Sequence, residues 1–138
     1  MIKFVDCKLF NLIPVTIPAL VIYTERLSKG VAALSISPCF VFVLKSKRDD
    51  VGLMQHEFHH IKQFWKNPFT PFIYLLSSRF RFKIEVEAYV VQNRFNATDR
   101  LPLYASFLAK NYRIKFTEEE ALEALRAESA KQLNMELP

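Results

Sequence analysis

Apolar and polar positions alternate in short runs over the first third of the chain, as in strands, whereas later apolar residues recur three and four apart, as in helices. Residues 1–24 are rich in Val, Ile and Phe and are punctuated by Pro14 and Pro18, which favours short or edge strands, with residues 19–23 the strongest. A charged segment with a Ser28, Lys29, Gly30 turn signal follows, and residues 31–37 and 39–45 read as two further strands around Pro38. Together these predict a small antiparallel sheet. Residues 9–24 are the most apolar stretch. They fall short of the roughly 20 residues that span a bilayer and are interrupted by Asn11, Pro14, Thr16 and Pro18, so they read as buried strands.

After a charged loop, Asp49 and Asp50 stand where acidic residues cap a helix, here predicted to run to Lys66. Val51, Met54, Phe58, Ile61 and Trp65 make its core stripe, nearly opposite His56, His60 and Gln63. Gln55, His59, Lys62 and Lys66 form a third sector that reads as solvated, which sets His59 apart from the other histidines. Asn67, Pro68 and Pro71 break the helix, and residues 72–78 predict an apolar helical segment. A further helix over 83–96 gathers Glu85, Tyr89, Gln92 and Asn96 on one face between apolar flanks. Residues 101–112 read as an amphipathic helix, and Thr117 with Glu120 as a capping box for a last one. The fold class is therefore α+β: a small antiparallel sheet, a histidine helix, a glutamate helix and C-terminal helices.

Composition narrows this picture. A chain of 138 residues that is 51% hydrophobic can bury a core and has the size of one domain, 1–138. Only two Gly argue against a turn-dense β-sandwich. The net charge of +5 reflects clusters at Lys45, Lys47 and Arg48 and at Arg79, Arg81 and Lys83; the second interleaves with Phe80 and Phe82, as nucleic-acid and membrane-surface binders do. Cys7 and Cys39 are too few for a disulfide framework and read as reduced, buried thiols. Asp6 interrupts any leader-like apolar run, so no export signal is visible and a cytoplasmic location is expected.

The candidate chemistry is concentrated in five residues. All three histidines fall in His56-Glu57-Phe58-His59-His60, the pattern H-E-x-x-H. Residues four apart share a helix face, so His56 and His60 can bind one metal ion. Glu57 lies about 100° round the helix, beside the metal, where its carboxylate can take a proton from activated water. Glu85 and Glu87 are about 200° apart on their helix, so only one can face the ion. Glu85 points with the polar stripe, Glu87 with Lys83 and Arg94, and small Ala88 beside Glu85 permits close approach.

With H-E-x-x-H at 56–60 and a glutamate at Glu85, the chain resembles the gluzincin zinc metallopeptidases. Glu85-Val86-Glu87-Ala88-Tyr89 is similar to the E-x-x-A-D segment of the CAAX-processing and heat-shock membrane peptidases, with Tyr89 in place of the aspartate. His56 through Gln63 is similar to H-E-x-x-H-x-x-Q in small, soluble peptidase-like proteins of phage and bacteria. The resemblance implies Zn²⁺ held by His56, His60 and Glu85, Glu57 as general base, and a sheet edge strand bordering the cleft. Tyr89, one turn from Glu85, is a candidate to support a ligand or the developing oxyanion. The expected activity is peptide-bond hydrolysis of a peptide or protein bound as an extended strand along residues 39–45. A zinc-stabilised binding protein without turnover and a nucleic-acid or membrane-surface binder are the alternatives.

Overall fold

The computed structural model describes residues 1–10, 12–36, 38–112 and 115–136. Asn11 and Ser37, each inside an expected strand segment, lie outside the described residues. The fold is α+β, with four strands and five helices among the described residues. They form two compact units, Met1–Pro71 and Phe72–Pro138. No described helix is long and apolar enough to cross a membrane.

The first unit is a sheet packed on one helix. Strands β1 (Ile2–Leu9), β2 (Ile13–Thr24), β3 (Ala33–Ile36) and β4 (Phe40–Leu44) lie in the order β1-β2-β4-β3. The β1–β2 and β3–β4 pairs are antiparallel, but β2 runs parallel to β4, so the sheet is mixed rather than antiparallel throughout. The cause is that β3 does not pair with its predecessor: the chain passes to the far side of β4 and turns back, Gly30 supplying a positive φ of 82° in the connecting turn.

Pro14 and Pro18 sit inside the 12-residue β2 without breaking it. Successive residues of a strand point their N–H groups to opposite edges. Val21 donates to Met1 on the β1 side and Leu20 to Cys39 on the β4 side, so residues 14 and 18 share the direction of Leu20. Pairing with β4 begins only at Leu20, and the missing N–H groups face an unpaired edge.

Val5, Ala19, Val21, Val41 and Val43 fill one sheet face and meet Met54, Phe58 and Ile61 of helix α1 (Val51–Lys66). Each fully buried Val here contributes about 1.5–3 kcal/mol by leaving water. The hairpin is thus only half buried; Ile13 and Leu12, in the stretch that reads as buried strand, are exposed. The free thiols of Cys7 and Cys39 are half-buried, and desolvation pushes that of Cys7 up.

The second unit is helical. The short α2 (Thr70–Leu76) contains the boundary, and α3 (Ser78–Asn93), α4 (Leu101–Asn111) and α5 (Glu118–Glu136) follow. The glutamate helix α3 begins five residues earlier than its polar stripe implies, because the Ser77 hydroxyl accepts from Phe80 N and caps it there; it ends three residues early, leaving Asn96 beyond it. The capping box forms as expected, Thr117 N donating to Glu120 (2.8 Å) and Glu120 N to the Thr117 hydroxyl (3.2 Å). Val86, Val90, Leu101, Leu108, Ala121 and Leu125 form this unit's core.

Candidate metal centre

Helix α1 is anchored at both ends. The Asp50 carboxylate accepts from Leu53 N (2.9 Å), the N-cap predicted for it. At the other end Phe10 N donates to the Trp65 carbonyl (3.0 Å), and the Trp65 indole donates to the Pro38 carbonyl (3.0 Å). The first bond satisfies a terminal helix carbonyl, and the second fixes a side chain of the last turn against the loop before β4. Along the helix only Val51 and Lys66, at its ends, are exposed. Gln55, His59 and Lys62 are accordingly half-buried rather than solvated, and Val51 does not join the core stripe.

This rigid helix points His56 and His60 at one spot. Their Nε2 atoms are 3.1 Å apart, and the rings meet edge to face. The second ring nitrogen of His60, Nδ1, donates to Gln63 Oε1 at 2.8 Å, and Gln63 is itself buried. With the proton held on Nδ1, the Nε2 lone pair of His60 is available to a metal. Glu57 is only 5% exposed, and its Oε2 has no hydrogen-bond partner among the described residues. Leaving a buried carboxylate oxygen unsatisfied costs about 1–3 kcal/mol, so this oxygen is open to a water, an ion or a ligand.

Glu85 is buried on α3, and its Oε1 accepts from the Tyr74 hydroxyl at 2.6 Å. Burial, and then the negative charge of Glu85, hold the Tyr74 hydroxyl well above its ordinary range, so it remains a donor. Arg81 fixes Tyr74 in turn, donating Nε to its carbonyl (3.1 Å), Nη2 to that of Leu75 (3.2 Å) and Nη1 to that of Tyr112 (3.0 Å). The guanidinium therefore closes the end of α2. Phe82 packs towards the core and stacks on Phe116, which leaves Arg79 and Lys83 as the exposed charges of the basic-aromatic run.

The sequence made Tyr89 a candidate to support a ligand or the developing oxyanion; a hydrogen bond to Glu85 that it did not foresee comes from Tyr74. The Tyr89 hydroxyl shares a bond with Tyr112 (2.8 Å), and its ring stacks on Tyr104 in the helical core. Tyr74 carried no sequence signal because it lies on a separate short helix. Eleven residues from Glu85 is three turns of one continuous helix, roughly 16 Å and too far for a hydrogen bond, so only the break between α2 and α3 lets the two meet.

His56, His60 and Glu85 each offer one ligand atom, and these atoms lie within 4.8 Å of one another. With two of the three buried and the third half-buried, the group could hold a metal ion. His59 does not belong to it. Strand β4 is internal, paired with β2 on one side and β3 on the other, so residues 39–45 offer no free backbone edge for an extended substrate. The open edge on this side of the sheet is β3, whose Ala33 and Ser35 point outwards by alternation from Ala32, which accepts from Leu44. No protein-family model, curated protein or solved structure matches this chain, so its chemistry is read from these residues themselves.

Proposed function

We propose that this protein is a zinc-dependent peptidase. Two imidazoles and one carboxylate are the donor set of three-ligand catalytic zinc sites, and His56, His60 and Glu85 supply it. When bound, zinc supplies Lewis acidity, polarising a scissile carbonyl and lowering the pKa of water. Gln63 and Tyr74 orient His60 and Glu85 for that role. Glu57 takes a proton from the attacking water through Oε2 and returns it to the leaving amine. A peptide extended along the β3 edge would bond to the outward groups of Ala33 and Ser35, in a strand that packs beside α1.

The observation that carries this reading is Glu57. A purely structural zinc site has no use for a second buried acid beside Glu85, unligated and with an oxygen lacking a partner among the described residues. The test combines zinc content with peptide hydrolysis in the parent chain and in Glu57→Gln. The parent should hold about one zinc and cleave peptides; the variant should hold zinc equally and lose cleavage by several orders of magnitude. Protein that takes up no zinc on refolding with it sinks the metal assignment. Zinc uptake with cleavage undiminished in Glu57→Gln sinks the assignment of the base.

A further inference from the structure

The sheet face turned away from α1 is apolar and uncovered. Across all four strands Ile2, Leu20, Phe40 and Ile36 form one row, and Phe4 and Leu34 lie on the same side. Phe4 is 72% exposed, Ile2 61% and Ile36 51%, so this face, opposite the one that α1 covers, is left to solvent. These six side chains amount to on the order of 600 Å² of contiguous apolar surface, the upper end of what a soluble monomer shows in one patch.

We propose that this face pairs with the same face of a second copy of the chain, sheet on sheet, about a two-fold axis. Area is the first reason: two such faces would together remove on the order of 1,200 Å², enough for a specific dimer. Shape is the second, since two sheets stack face to face with interdigitating side chains about 10 Å apart. Charge selects the occupant. Alternation along β1 puts Asp6 and Lys8 on this same side, beside Phe4, one negative and one positive. An anionic membrane or a nucleic acid would select a basic border. A two-fold interface selects a balanced one, in which each carboxylate faces the other copy's lysine. The zinc site plays no part in this pairing.

Sedimentation of the full chain over a concentration series is the experiment. The chain should sediment as a dimer at high concentration and dissociate on dilution. Phe4→Glu should be monomeric with an unchanged circular dichroism spectrum, because Phe4 lies mostly in water and contributes little to the core. Lys8→Glu should weaken the dimer about tenfold or more, and Lys8→Glu combined with Asp6→Lys should restore it, because the exchanged pair is again self-complementary. A chain that stays monomeric at every concentration overturns the proposal, as does a dimer indifferent to Phe4→Glu. Recruitment of a monomer to anionic phospholipid vesicles through Phe4 would overturn it too, assigning the face to a membrane.

Discussion

The polar partners of the ligand residues decide how much freedom the site has. His60 could turn about its ring bond, and Glu85 could present either oxygen, but Gln63 and Tyr74 remove those choices by hydrogen bonds of 2.8 and 2.6 Å. Such outer partners are worth about 10–100-fold in metal affinity. Tyr74→Phe and Gln63→Leu should therefore each weaken zinc binding by about that factor with the helix content intact, measured by competition with a chromogenic chelator. Glu85→Ala should cost more than either, and Glu87→Ala little; the reverse order would transfer the ligand role to Glu87. The grouping of His56, His60 and Glu85 was legible in the sequence because the face each residue takes depends on spacing within its own helix. Tyr74 was not legible: its bond to Glu85 depends on where a separate short helix leaves the chain.

Caps and edges govern the elements. Asp50 and the Thr117–Glu120 box could be read directly, since a cap is a contact between residues three apart and needs no tertiary context. Thr117→Ala should cost about 1 kcal/mol in urea unfolding with zinc binding unchanged, because the box lies at the start of α5, away from the ligand residues in the sequence. Strand pairing was less legible. Alternation identifies a strand and its two faces but not its neighbour, so the parallel β2–β4 pairing and the outward edge of β3 emerged only in three dimensions. That edge permits a test of substrate placement. Ser35 N points away from β4, so Ser35→Pro should leave the sheet intact, much as β2 tolerates Pro14 and Pro18. The same change deletes a donor to an added strand and should raise KM for extended peptides severalfold. Unchanged KM in a folded variant would move the substrate off this edge.

For the whole molecule, metal binding and folding are linked. An ion that binds the native state and not the unfolded chain stabilises by RT ln(1 + [L]/Kd), about 2.7 kcal/mol when zinc is a hundredfold above its Kd. In a chain of this size each kcal/mol moves Tm by roughly 3–5 °C, so removing zinc with a chelator should lower Tm by about 10 °C. Identity of the ligands is tested by how the increment disappears. His56, His60 and Glu85 come from positions 29 residues apart at most in the chain and offer ligand atoms within 4.8 Å of one another, so the three could hold one ion together. Removing any one by substitution with Ala should therefore abolish most of the zinc-dependent rise in Tm, not a third of it, since the remaining pair binds orders of magnitude more weakly. Glu57→Gln should keep the full rise, because that carboxylate is no ligand. If Glu85→Ala keeps the rise while His56→Ala loses it, the ion sits on the histidine helix alone, and a different group completes its coordination.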